Sequence, residues 1–197
     1  MARRSDHSRQ ELIDLALRNG IEIVENKGIS GLSARQVTDG IGYTVGTLYH
    51  LFGSLDGFIL HIHGRTLDKW HTDLAKRLKG KRGQEQPLRV LAHAYIDFAR
   101  RNYNLWSALF EYRSAQDSEL PDWYREKLEK LFQLVEEALL IQGVRNRQTA
   151  SQTAKILWAS IHGICVLSLS GKLDIVGSAK AEVLADGLLE TYSRGMK

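Results

Sequence analysis

Between Ser33 and Phe52 the chain reads S-A-R-Q-V-T-D-G-I-G-Y-T-V-G-T-L-Y-H-L-F, and no other segment limits the fold as tightly. Ser33 followed three residues later by Gln36 is a capping box that starts one short helix, with Val37 and Ile41 on its buried face. Gly42 supplies the permissive backbone of a tight turn. Thr44 is placed to cap a second helix, on which Val45, Leu48, Leu51 and Phe52 recur at helical spacing and turn toward the first. Two short helices joined at a glycine turn predict a helix-turn-helix. Gly46, Thr47, Tyr49 and His50 are left on the outer face of the second helix.

That outer face is small and hydrogen-bonding rather than apolar, as a helix presented to a DNA major groove must be. Thr44 and Thr47 can donate to phosphates, Gly46 allows close backbone approach, and Tyr49 and His50 can reach phosphate oxygens or base edges. No Arg, Asn or Gln sits on this helix. Bidentate reading of guanine or adenine then falls to Arg35 and Gln36 at the start of the preceding helix, or is replaced by reading of DNA shape.

From Gly42 to Phe52 the succession of a Gly turn, a Thr, Gly-Thr-Leu-Tyr, a His and a Leu-aromatic pair resembles the TetR family of one-component bacterial regulators. The resemblance implies a three-helix DNA-binding domain over residues 1–53 and an effector-binding and dimerisation domain over 54–197. The first helix can be read independently: Ser8 and Glu11 form a capping box before Leu12, Ile13, Ala16, Leu17, Ile23 and Val24, and Gly28 is its stop. Two positions depart from the family pattern. A Lys common at the start of the fourth helix, where it meets phosphate, is Leu55, and the small residue usual in the second helix is Thr38.

Composition agrees with an all-α architecture of about nine helices. The chain has 197 residues and only two prolines, and strand-like alternation is nearly absent. A fourth helix is predicted from a Ser54 cap to about Lys79, a fifth from Pro87 to about Arg101, and a sixth from Tyr103 to Tyr112. A seventh opens at Pro121 and runs to about Gln142, an eighth runs from about Arg147 to Ser170 with Gly171 at its end, and a ninth starts at Ser178. One cysteine, Cys165, allows no internal disulfide and suits a reducing cytoplasm. The opening residues M-A-R-R-S-D-H-S-R-Q lack the apolar core of a secretion signal. The longest uncharged stretch, Ile156 to Gly171, contains His162 and three serines and reads as a buried helix rather than a membrane span. A cytoplasmic location without membrane attachment is the expectation.

The net charge of +4 is not concentrated where DNA would lie. Residues 1–56 carry six cations (Arg3, Arg4, Arg9, Arg18, Lys27, Arg35) against seven anions (Asp6, Glu11, Asp14, Glu22, Glu25, Asp39, Asp56). DNA binding must rely on local positive charge, chiefly the Arg3 and Arg4 tail, which can follow a backbone or enter a minor groove. The basic run Lys76 to Arg82 reads as a solvated helix end favoured by the helix dipole, or as a second DNA contact.

In the predicted eighth helix, W-A-S-I-H-G places Trp158 and His162 on one face beside Gly163, and resembles the Trp and His-Gly motif of the C-terminal regulatory domain in one TetR subgroup. Tyr95, Phe98, Trp106, Phe110, Trp123, Trp158 and His162 are the candidate effector-binding residues, with a small aromatic or lipophilic molecule as the ligand. The same residues also suit a core, with His162 a partnered histidine beside a packed tryptophan. Leu157, Ile161, Ile164, Leu167, Leu184 and Leu188 give the last two helices more apolar surface than one subunit covers, which predicts a homodimer built from those helices.

These features predict a sequence-specific DNA-binding regulator, a repressor by resemblance, released from a pseudo-palindromic operator when the ligand binds. An enzyme is not expected, because no Gly-rich phosphate loop, Ser-centred elbow or Cys-His signature occurs. His61 and His63 are two apart and point to different sides of a helix, so neither a metal site nor a cofactor is expected. Two alternatives stay open on the same scaffold: a metal or redox sensor, and a DNA-binding adaptor that takes no effector.

Overall fold

Ser8 and Glu11 start the first helix reciprocally: the Ser8 N–H donates to Glu11 Oε2 at 2.7 Å and the Glu11 N–H donates to Ser8 Oγ at 3.3 Å. The helix, α1 (Arg9–Lys27), ends at Gly28. The computed structural model describes residues 7–80, 86–112, 120–177 and 179–195, and among them the regular secondary structure is all helical. Eight further α-helices follow: α2 (Ala34–Ile41), α3 (Val45–Phe52), α4 (Leu55–Gly80), α5 (Pro87–Arg101), α6 (Tyr103–Glu111), α7 (Asp122–Ile141), α8 (Arg147–Leu169) and α9 (Ala181–Gly195). Two short 3₁₀ turns, Ile29–Gly31 and Lys172–Val176, were not anticipated from sequence, since three to five residues carry no readable periodicity. Ser170 caps α8 and Gly171 follows in the left-handed conformation, φ 69°, as a helix stop favours. The predicted start of the ninth helix at Ser178 lies outside the described residues.

The chain divides into two compact bodies, residues 1–66 with 102–124, and residues 67–101 with 125–197. In the first, α1, α2, α3, the beginning of α4 and α6 close around Ala16, Leu17, Val24, Val37, Leu48, Phe52, Phe58 and Ile62. Phe52 and Phe58 meet edge to face at 4.9 Å. The sixth helix joins this core through Leu105 and Ala108, and Asn104 Nδ2 donates to the Glu25 carbonyl at 2.7 Å. Tyr112, just past α6, donates from its hydroxyl to Asp56 on α4. Burial, and then that carboxylate, push the Tyr112 phenol up to about 12.

In the second body α5 is the central element, packed against α8 and α9. Ala94, Phe98, Leu139, Ala150, Ala154, Cys165 and Ala185 are almost fully buried there. Among these the buried residues Ala150 and Ala154 of α8 and Ala185 of α9 are small. The seam between α5 and α9 is closed by charge: Arg89 grips Asp186 with two guanidinium bonds, His93 Nε2 lies 2.8 Å from the same carboxylate, and Arg100 donates to Glu182 at 2.9 Å. The Arg89 hydrogen bonds are the main reason Asp186 stays ionised below the usual carboxylate range.

Two features of the first body yield measurable expectations. A Cβ on Gly20 would stand 2.6 Å from Phe58 Cζ and 2.9 Å from Ile62 Cδ1, so the side chains of Phe58 and Ile62 pack into space that this glycine leaves open. Gly20→Val is expected to cost about 1–3 kcal/mol by overpacking, read as a lower urea midpoint. His63 is buried on α4, its Nε2 has no hydrogen-bond partner among the described residues, and burial holds its pKa down at about 4 against an ordinary 6.5. The unfolded chain therefore binds the proton more readily between those values. Stability is fully present above pH 6.5 and falls as the pH drops toward 4, by up to about 3 kcal/mol. Urea unfolding at pH 7 and pH 5 should show this loss, and His63→Leu should flatten it.

Candidate nucleic-acid interface

The reading unit is assembled as its caps dictate. Ser33 Oγ accepts from the Gln36 N–H at 3.2 Å, and the Ser33 hydroxyl donates to Gln36 Oε1 at 3.0 Å. The return bond of the predicted box thus goes to the side chain of Ser33 and not to its backbone. Gly42 ends α2 at φ 75°, the left-handed geometry that a Cβ disfavours, and the chain turns into α3. Thr38, the departure from the family pattern, is buried in α2 with its hydroxyl donating back to the Arg35 carbonyl at 3.1 Å, so its polar atom is satisfied within the helix.

On α3, Leu48 is 1% exposed and Phe52 is also buried, whereas Tyr49 is 42% exposed. Thr44, Gly46 and His50 are exposed as well, and Thr47 is half-buried. One side of α3 therefore anchors the helix and the other carries Gly46, Tyr49 and His50, with Thr44 exposed at its cap and Thr47 half-buried. Thr44 caps α3 by accepting from the Thr47 N–H at 3.2 Å, and the two threonine hydroxyls lie 3.0 Å apart. One of their two hydroxyl protons is used in that contact, whichever oxygen donates. The other stays available to an outside acceptor such as a phosphate oxygen.

Arg35 and Gln36 are exposed at the start of α2. Arg35 pairs with Asp39 one turn on, at 3.8 Å, but its side chain is 87% exposed, so the pair holds it weakly. Arg3 and Arg4 lie outside the described residues. A contact the sequence did not signal stands at the turn before α3, where His7 Nδ1 lies 2.9 Å from the Tyr43 hydroxyl. The 36-residue separation of these two side chains hides it from any local pattern.

The aromatic candidates fall into two groups. Trp106, Phe110 and Trp123 belong to the first body. There Trp106 is buried against Phe110 at 5.4 Å, and Trp123 lies 4.9 Å from His61. Tyr95, Phe98, Trp158 and His162 belong to the second body. The His162 ring stacks on Trp158 at 5.6 Å, its Nδ1 is 2.7 Å from the Tyr95 hydroxyl, and burial lowers its pKa. Trp70, which no sequence motif singled out, is stacked on Phe98 at 5.2 Å and meets Tyr95 at 4.8 Å. Its place on one stripe of α4 with Leu67 and Leu74 was a signal that it is internal, but not of which aromatics it meets.

Among the described residues no group of three His, Cys, Asp or Glu side chains is arranged to hold a metal ion. His61 Nδ1 lies 2.8 Å from the Gly57 carbonyl oxygen, which takes that nitrogen as a donor. Cys165 is a free, buried thiol, and burial raises its pKa to about 11. No helix among these residues is long and apolar enough to cross a membrane.

Residues 88–192, over half of the chain, match the family described as "Tetracyclin repressor-like, C-terminal domain". No curated protein matches the sequence. Among solved structures, a protein of unknown function from Rhodococcus sp. RHA1 is similar with a TM-score of 0.75 and 20% identity, covering 98% of each chain. The multidrug binding protein EbrR, solved with imidazole, gives a TM-score of 0.61 and 19% identity over 94% of this chain and 95% of its own. The TetR family regulator PfmR from Thermus thermophilus gives 0.58 and 17% over 92% and 98%. At these identities the structural likeness is one of fold, and it runs the length of the chain. With the family match over α5 to α9 and a capped helix-turn-helix ahead of it, the chain belongs to the TetR family of transcriptional regulators.

Proposed function

We propose that the protein is a dimeric repressor that binds a pseudo-palindromic operator and is released from it by a small lipophilic or aromatic ligand held in its second body, and that it catalyses no reaction. The observation that carries the DNA-binding half is the two-sided character of α3: Leu48 and Phe52 are buried, while Thr44, Gly46, Tyr49 and His50 stand exposed with hydrogen-bonding capacity. In this reading α3 enters the major groove, Thr44 and Thr47 hold phosphates, and Tyr49 and His50 reach phosphates or base edges. Arg35 leaves its weak pair with Asp39 to read an adjacent base with Gln36, and the Arg3 and Arg4 tail adds backbone or minor-groove contact. Because the reading region is nearly neutral, the salt dependence of binding should report only a few phosphate contacts.

The exposed apolar residues of α8 and α9 support dimerisation. Leu157 and Ile161 are buried within the subunit, but Ile156, Val166 and Leu167 on α8 and Val183 on α9 face outward. Cβ atoms at Gly163 and Gly187 would meet nothing, so both positions border open space that a partner helix can approach. A two-fold pairing through these faces buries them and sets two copies of α3 about 34–36 Å apart on one side of a duplex. The ligand is placed by this reading near Tyr95, Phe98, Trp158 and His162, and acts through α4, a single unbroken helix from Leu55 to Gly80. A coupling of about 1–3 kcal/mol is enough for roughly 5- to 150-fold control of operator affinity. The location consistent with this role is the cytoplasm.

Selection of sites from genomic fragments at fixed salt tests the proposal. One pseudo-palindrome should be enriched, and Tyr49→Ala and His50→Ala should each weaken binding to it by about 1–3 kcal/mol with the melting temperature unchanged. Unchanged affinity in both variants would remove α3 from the groove. For the dimer, Leu167→Glu combined with Val183→Glu should give a folded monomer in sedimentation, with operator affinity lost. A double variant that remains dimeric would move the interface elsewhere.

A further inference from the structure

Trp70 is 4% exposed, and among the described residues of the second body its Nε1 is the buried side-chain polar atom left without a hydrogen-bond partner. An indole nitrogen can only donate, so the group wants an acceptor and nothing else. The hydroxyl of its nearest aromatic neighbour, Tyr95, lies 2.7 Å from His162 Nδ1 and does not accept from the Trp70 indole. Trp70 stacks nearly parallel on Phe98, at 8°, and receives Tyr95 at 61°. From Tyr95 the aromatic run continues through His162 and Trp158 to Phe132, whose ring meets Trp158 at 5.7 Å. Four helices, α4, α5, α7 and α8, contribute to it.

The charge of this environment restricts what the acceptor can be. Four cationic side chains on the surrounding helices already face carboxylates: Arg77 faces Asp73 and Asp97, Arg89 faces Asp186, Arg100 faces Glu182, and Lys127 faces Asp68. The one ionisable ring within the run besides Tyr95, His162, is held toward its neutral form by burial. An anionic acceptor brought here would lose its hydration and would compete with carboxylates for these four cations. A carbonyl oxygen on an aromatic frame meets both requirements, since it accepts from the indole without carrying charge and its flat ring can join the stack.

We propose that the Trp70 indole N–H is the hydrogen-bond donor of the effector site, and that the effector is a neutral, flat aromatic carbonyl compound. This assignment rests on the reading of the second body as the effector domain.

Acetylnaphthalene and ethylnaphthalene differ little in shape but only the first has a carbonyl, and their binding to the full-length protein can be measured by calorimetry. Acetylnaphthalene is expected to bind at least about tenfold more tightly and to shift one of the four indole N–H resonances in the nitrogen-correlated proton spectrum. Trp70→Phe, which keeps an aromatic ring in place, should abolish that resonance and bring the two affinities within about twofold. Equal binding of both probes by the native protein, binding of neither, or discrimination that survives in Trp70→Phe would each overturn the assignment. The native comparison stands even if the variant does not fold. Operator affinity measured without any probe separates the two readings. Intact operator binding with failed discrimination removes Trp70 and leaves the regulator, whereas no operator binding by the native protein removes the regulator itself.

Discussion

Burial of one side of α3 governs everything its other side can do. A helix of eight residues does not persist in water on its own, because the cost of nucleation exceeds what so few hydrogen bonds return. It exists here because Leu48 and Phe52 enter the core formed by Val37, Ala16, Leu17 and Phe58. Thr44 caps its start, and Phe52 is further fixed by its edge contact with Phe58 on α4. The outward residues Thr44, Gly46, Thr47, Tyr49 and His50 inherit their geometry from that anchorage. Loosening the core would disorder the proposed groove surface without touching any residue on it.

The second body is organised on different physics. Small residues, Ala94, Ala150, Ala154 and Ala185, are fully buried among its helices, and the α5 and α9 seam is bridged by Arg89, His93 and Arg100 reaching Asp186 and Glu182. Each such pair is partly exposed and adds little stability, but bidentate geometry selects one alignment over its neighbours. Aromatic rings fill the interior beside this seam. Polar tips in that interior are paired at Tyr95 and His162, whereas the Trp70 indole nitrogen has no hydrogen-bond partner among the described residues.

Much of the fold was legible because its signals are local. Capping residues at Ser8, Ser33 and Thr44, a turn glycine at Gly42 and prolines at Pro87 and Pro121 set where helices begin and end within a few residues, and the observed bounds follow them closely. The buried stripe of α3 was equally legible, since three- and four-residue spacing alone determines which side chains share a face. The 3₁₀ turns were not, being shorter than any period. Nor was the membership of α6: its own sequence is amphipathic and compatible with either body, and only the packing of Leu105 and Ala108 beside α1 assigns it to the first.

For the site the same division holds. The helix-turn-helix, the polar side of α3 and the family could all be read from the chain before any coordinates, because they depend on residue types at separations of one to eight positions. Three-dimensional packing was needed to learn that Trp106, Phe110 and Trp123 lie in one body and Tyr95, Phe98, Trp158 and His162 in the other, that His7 meets Tyr43, and that Trp70 lacks an acceptor among the described residues. Those facts depend on which distant side chains share a volume, and hydrophobic burial, being without direction, selects a residue for the interior while saying nothing of its neighbours there.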